Sequence, residues 1–143
     1  MSEYLKPLPT PSTDSTPFWD GCRRHELLLQ RCDACGHLFH PPGSRCPDCL
    51  GACLTWTKLT GRGIVHSFVV YRRAYHPGFE GEIPYIVGLI ELEEGPRLIS
   101  NIVGCEPDAV RCDMPVEVVF EDVTDQTTLY KFRPSQSMRR GTP

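Results

Sequence analysis

Apolar and polar positions divide this chain into two unequal parts. From residue 64 onward the apolar residues fall in short runs rich in β-branched and aromatic side chains, the mark of strands. Five runs stand out: Ile64–Tyr71, Ile83–Leu92, Arg97–Val103, Pro115–Glu121 and Leu129–Arg133, parted by turn signals such as Glu94-Gly95-Pro96. Gly88 interrupts the second run where a curved strand would bend, and the set suits a small closed barrel of the OB type. Upstream the pattern differs. Residues 1–16 are rich in Pro, Ser and Thr without periodicity and read as a flexible arm. Thr16-Pro17 reads as an N-cap followed by proline at the first helical position. Phe18, Trp19, Cys22 and His25 then recur at helical spacing, predicting a short helix with two aromatic rings on one face. Leu27–Arg31 and Leu54–Leu59 bracket an apolar-poor stretch, as strands entering and leaving it.

That stretch carries the strongest chemical signal. Cys32-Asp33-Ala34-Cys35 is followed, after ten residues, by Cys46-Pro47-Asp48-Cys49. Two such pairs supply four thiolates to one tetrahedral ion and leave no ligand position open. Gly36 sits just after the first pair, where the turn needs a permissive backbone. The segment holds too few apolar residues to fold by burial. Metal binding must therefore hold it, and structural zinc contributes on the order of 10–16 kcal/mol in small zinc-finger peptides. The reading is a closed zinc ribbon with Cys32, Cys35, Cys46 and Cys49 as ligands. Iron fits the same donors, but the compact spacing and the attached β-barrel favour structural zinc. The predicted architecture is mainly β: an arm over 1–16, a helix and zinc ribbon over 17–55, an OB-fold barrel over 56–134, and a tail over 135–143.

Composition narrows the function classes. The 143 residues carry a formal net charge of −3, with 40% hydrophobic and 23% charged residues, which suits a globular chain and gives no basic field. No run approaches the roughly 20 apolar residues that span a bilayer. The N-terminus lacks the apolar segment of a signal peptide. Eight cysteines in this context argue for a reducing compartment, with Cys22, Cys53, Cys105 and Cys112 free, so a cytoplasmic location is expected.

The ordered motifs resemble one family. Phe18-Trp19, Leu29-Gln30-Arg31-Cys32-x-x-Cys35-Gly36, His40-Pro41-Pro42, Cys46-Pro47-x-Cys49, Gly61-Arg62-Gly63-x-Val65, Pro84-Tyr85-x-Val87-Gly88-Leu89-Ile90-x-Leu92 and Val116–Phe120 occur in sequence. Together they resemble the DUF35 family, a rubredoxin-like zinc ribbon joined to an OB-fold and associated with acyl-CoA metabolism. The likeness covers about residues 15–134. One departure is Leu50, which stands between Cys49 and Gly51. The resemblance implies a non-catalytic subunit of a hetero-oligomer. Members are similar to proteins that pair with thiolase-like enzymes acting on acyl-CoA, and others pair with MaoC-type hydratases. The catalytic residues then belong to the partner, while the barrel helps to shape the acyl-CoA site and the ribbon and helix aid assembly.

Three further groups invite a role. Tyr71–Gly81 links two predicted strands, where OB-folds commonly bind ligands. Arg72 and Arg73 suit phosphates, and Tyr75, His76 and Phe79 suit stacking on an adenine ring, so the segment is a candidate CoA or partner contact. The plainer alternative is a solvated loop packed on the barrel mouth. Phe18 and Trp19 either cover the chain's own core or dock on another subunit. Catalysis within the chain has no support: no thiol has a recognisable base beside it, and no paired-carboxylate, P-loop or dinucleotide motif is present. A competing reading is a single-stranded nucleic-acid module built on the same loop, opposed by the acidic balance. A free-standing CoA-ester carrier is the third.

Overall fold

The computed structural model describes residues 8–135; residues 1–7 of the arm expected over 1–16, and 136–143 of the tail expected over 135–143, lie outside the described residues. One helix, α1 (Thr16–Arg23), precedes eight strands: β1 (Leu28–Cys32), β2 (Leu38–Phe39), β3 (Leu54–Lys58), β4 (Arg62–Tyr71), β5 (Tyr85–Leu92), β6 (Arg97–Ile102), β7 (Pro115–Asp122) and β8 (Thr128–Pro134). β2, β1 and β3 form a three-stranded antiparallel sheet, and β4-β5-β6-β8-β7 close into a five-stranded barrel. The protein is mainly β, with one short helix, a ribbon region and an OB-type barrel. Among the described residues no helix is long and apolar enough to cross a membrane.

α1 begins one residue before the expected position, with Ser15 as N-cap and Pro17 in the first turn. The Ser15 hydroxyl is occupied elsewhere, accepting the Ser12 N–H at 2.8 Å, while Thr16 Oγ1 donates to the Ser12 carbonyl at 2.7 Å. Phe18, Gly21 and Cys22 form the buried stripe, the i, i+3, i+4 spacing of one helix face. His25 is not on that face, contrary to the spacing argument. The helix ends at Arg23, His25 takes φ +62°, and its ring stacks on Phe120 at 5.2 Å, with Nε2 3.0 Å from Asp122 Oδ1.

Regular alternation governs β5, where Ile86, Gly88, Ile90 and Leu92 face inward. A Cβ on Gly88 would lie 2.6 Å from Ile102 Cδ1, so this glycine leaves the room that the β6 side chain fills. β4 breaks the alternation. Val65 pairs with Ile90 and is fully buried, but the register shifts at His66 and resumes with Ser67 opposite Leu89. The extra residue reverses the phase, so Phe68 and Val70 pack inward while Val69 and Tyr71 face solvent. Closure comes from β8, which pairs antiparallel with β7 and touches β6 in parallel at Phe132 and Ile102.

Ribbon and barrel share one core. Phe18 and Cys22 of α1, Leu27 and Leu29 at β1, and Val65, Ile90, Leu98, Val116 and Phe132 of the barrel form one buried cluster. β3 spans the expected 55–56 junction because it pairs along the whole of β1.

Candidate functional site

The four expected cysteines converge. Their sulfurs all lie within 4.8 Å of one another, with Cys32 Sγ 3.5 Å from Cys49 Sγ and Cys35 Sγ 3.6 Å from Cys46 Sγ. Tetrahedral zinc with bonds near 2.3 Å sets its sulfurs about 3.8 Å apart, so the donors fit that ion. Each pair forms a turn of the same design. Gly36 N–H donates to the Cys32 carbonyl at 2.8 Å and Leu50 N–H to the Cys46 carbonyl at 2.9 Å. Cys32 N–H donates to the His37 carbonyl, and Cys46 N–H to that of Gly51, both at 2.9 Å. The turns also aim backbone donors at sulfur: Cys35 N–H lies 3.5 Å from Cys32 Sγ, and Asp48 N–H 3.3 Å from Cys46 Sγ.

Those amides matter electrostatically. The Cys35 N–H, aided by that of Ala34, lowers the Cys32 thiol to about 7 against the cost of burial. The His37 amide also favours the Cys35 thiolate, but burial and the neighbouring thiols outweigh it and raise that group to about 12. Four sulfurs in contact cannot share several negative charges without a cation. A divalent ion at their centre supplies it and brings all four to the thiolate form.

Polar side chains around the turns hold them in place. The buried Gln30 amide accepts the Gly43 N–H at 2.8 Å and donates to the Gly43 carbonyl at 2.9 Å, pinning the inter-pair loop to β1. His37 Nδ1 lies 3.4 Å from Asp48 Oδ2, bridging the two turns. His40 packs against Phe18 with ring centroids 5.2 Å apart. Neither histidine belongs to the sulfur cluster.

The 72–84 segment forms a second cluster. Tyr71 and Tyr85 stack with centroids 5.0 Å apart and planes within 1°, Phe79 stacks on Tyr85 at 5.1 Å, and Tyr75 meets Tyr71 edge-on at 6.1 Å. The Arg73 guanidinium sits 5.4 Å over the Tyr75 ring. His76 does a local job: its Nδ1 accepts the Gly78 N–H at 2.9 Å and caps the turn at Pro77–Phe79. These rings line a groove of about 600 Å³ with Val87 and Asn101. A smaller groove of about 270 Å³, lined by Ile99 and Tyr130 among others, adjoins it through the same Val87 and Asn101. Burial, then Tyr71, Tyr75 and Glu82, raise the Tyr85 phenol above its ordinary value. Of the residues singled out from the sequence, Tyr75 and Phe79 line the larger groove, while Arg73 and His76 do not; Tyr85, Val87 and Ile99, which line one groove or the other, were not singled out. Their signal was alternation across paired strands, visible only once the register is known.

The remaining expected residues are placed as follows. Phe18 is 2% exposed and meets Trp19 and Tyr130 edge-on at 5.1 and 5.3 Å, so it fills the chain's own core. Trp19 is half-buried beside it. Arg72 is exposed. Burial pushes the Cys22 thiol up to about 12, and burial with Glu106 raises Cys105, the reverse of what a thiolate nucleophile requires.

Comparison with known proteins agrees with this geometry. Residues 19–54 match the ChsH2 rubredoxin-like zinc ribbon domain, and residues 56–121 the ChsH2 C-terminal OB-fold domain. The chain is 38% identical over 131 residues to a probable enoyl-CoA hydratase alpha subunit of Thermomonospora curvata, covering 92% of this chain and 40% of that one. It is 34% identical over 119 residues to a DUF35 domain-containing scaffold protein of Methanothermobacter thermautotrophicus, covering 78% of this chain and 89% of that one. Among solved structures, a chain of an Ltp2-ChsH2(DUF35) aldolase superposes with a TM-score of 0.81 at 38% identity, covering 88% of this chain and 98% of that one. The chain thus spans about 40% of the length of the hydratase subunit it matches. Its paired motifs, sulfur geometry and barrel together place it in the DUF35 family, in the form that joins a rubredoxin-like ribbon holding a structural zinc to an OB-fold domain.

Proposed function

We propose that this chain is a non-catalytic, zinc-held subunit of a thiolase-type complex acting on acyl-CoA, with the reacting cysteine and histidine on the partner. One observation carries the reading. The whole ribbon-and-barrel unit aligns with nearly the full length of the DUF35 chain named in an Ltp2-ChsH2 aldolase. In this reading the zinc at Cys32, Cys35, Cys46 and Cys49 holds the ribbon, the ribbon supports α1, and α1 serves assembly with Trp19 at its surface. The barrel stands beside the acyl-CoA site. Arg72 and Arg73 face either CoA phosphates or acidic groups of the partner, with Tyr75, His76 and Phe79 beside them. The location is cytoplasmic.

A second reading is an accessory part of a MaoC-type hydratase. It is favoured by the similar identity to a hydratase alpha subunit. Purification of the tagged chain from its host, with retained proteins identified by mass spectrometry, separates the two. A stoichiometric thiolase-like subunit, whose turnover of an acyl-CoA thioester rises when the chain is added, is the expected result. A hydratase subunit favours the second reading, and recovery of nucleic acid or of the chain alone overturns both.

A further inference from the structure

We propose that the outer face of β4–β6, with the 72–84 segment at its end, is the surface on which the catalytic subunit docks. The inference rests on the subunit reading above and assigns one surface to it.

Seven large apolar side chains are exposed among the described residues: Leu8, Leu50, Val69, Tyr71, Tyr75, Ile83 and Ile99. Five of them, all but Leu8 and Leu50, lie on β4, β6 or the segment between β4 and β5. The register makes them contiguous rather than scattered. Tyr71 pairs with Tyr85, Val69 with Val87, and Leu89 with Ile99, and paired residues share a face of the sheet. Val69 is 54%, Ile99 65% and Tyr75 73% exposed, so this barrel face is an apolar patch rather than the usual polar exterior. The bulge at His66 produces it, because without the phase reversal Val69 and Tyr71 would point inward.

The patch is organised for a protein surface. Stacking of Tyr71 on Tyr85 and of Phe79 on Tyr85 holds the rings against one another, so little side-chain freedom remains to be lost on contact. The two adjoining grooves share Val87 and Asn101 and extend toward Tyr130, where α1 packs. Rigid aromatic anchors within a wider apolar strip are the composition of an interface centre. Charge selects the occupant. Arg72 has no acidic partner among the described residues, and Arg73 rests on the Tyr75 ring. A catalytic subunit bearing an apolar strip edged with carboxylates would satisfy both. Two arginines on a chain of net charge −3 provide few phosphate contacts, which disfavours a nucleic acid. The inference thus assigns Arg72 and Arg73 to the partner rather than to free CoA.

The test uses the full chain and the acyl-CoA enzyme subunit that wild type retains from its host, once identified and purified. Binding is titrated by calorimetry for wild type, for Val69→Ser with Ile99→Ser, and for Leu50→Ser as a control on the ribbon. Zinc content and the unfolding midpoint are measured for each. The strand variant is expected to bind at least tenfold more weakly with zinc and midpoint retained, while Leu50→Ser binds as wild type does. Equal binding by the strand variant overturns the inference and leaves the subunit reading standing. Loss of binding in Leu50→Ser to the same degree overturns it too, as does wild-type self-association that the strand substitutions abolish. CoA binding by the chain alone that Arg72→Ala with Arg73→Ala removes overturns the arginine assignment. If wild type retains no acyl-CoA enzyme subunit, the subunit reading fails and this inference with it.

Discussion

Gly36 and Leu50 occupy the same place in two equivalent metal turns. Each follows the second cysteine of its pair, and each donates its N–H to the carbonyl of the first cysteine, at 2.8 and 2.9 Å. Each has a left-handed backbone, φ +79° at Gly36 and +64° at Leu50. The turn needs that conformation whichever residue supplies it, so Leu50 adopts a backbone that a Cβ disfavours. Gly51 is constrained by space rather than by backbone angle: a Cβ there would stand 3.3 Å from Cys49 Sγ, so that sulfur would have to give by a few tenths of an ångström.

Leu50→Gly is therefore expected to stabilise the protein by roughly 0.5–1 kcal/mol: relief of left-handed strain exceeds the added freedom of glycine in the unfolded chain. The side chain is 67% exposed, so little burial is lost. Denaturant titration of the zinc-loaded protein checks this, and a lower midpoint than wild type would contradict it.

Chelation should melt the ribbon selectively. The cluster beside the metal is small, comprising Cys32, Phe39 and Cys46 with Leu54 packed on it, and two of its three buried members are ligands. Hydrogen exchange should show residues 33–53 losing protection on zinc removal while β4–β8 keep theirs. Cys46→Ser should reproduce the chelated pattern without chelator.

Phe18→Ala is expected to cost about 3–5 kcal/mol, the range for deleting a fully buried aromatic ring. Trp19→Ser should cost roughly 1–2 kcal/mol, in the common range for partly buried positions. Unfolding midpoints of the two variants give the comparison. A Phe18→Ala loss as small as that of Trp19→Ser would mean that the ring does not fill the shared core.

Burial holds the His40 imidazole below its ordinary value. The folded state then favours neutral His40, and that contribution is present above the unfolded value of about 6.5 and is lost as pH falls through the lowered folded value. Wild type should lose stability from about pH 6.5 downward, and His40→Leu should show a smaller loss over that interval. Thermal unfolding, with zinc content measured at each pH to separate thiolate protonation, decides it.

Much of the molecule was legible in its sequence. The metal ligands are set by short spacings, Cys32 to Cys35 and Cys46 to Cys49, and a turn of four residues needs no distant partner to bring its sulfurs together. The five barrel runs were legible because β-branched and aromatic enrichment is also local. The helix starts one residue early: Thr16 bonds back to the Ser12 carbonyl through both its N–H, at 2.9 Å, and its hydroxyl, at 2.7 Å, instead of capping the turn ahead, a choice that residue type does not reveal.

Other features were not local. The aromatic groove assembles residues from β4, β5, β6 and the 72–84 segment, and its members share a face only through strand register. The single extra residue at His66 settled that register, turning Val69 and Tyr71 outward and Phe68 and Val70 inward. A period-two pattern names two faces without saying which is inside, and in β4 both faces are apolar. By itself, then, the sequence determined the ligand set, the strands and the family, all of which depend on neighbours within a few residues. Tertiary structure alone decided the phase of β4, the parallel contact of Ile102 with Phe132 that closes the barrel, and the core that Phe18 and Leu29 share with it. Those depend on the free energy of burying surfaces far apart in the chain, which no local pattern encodes.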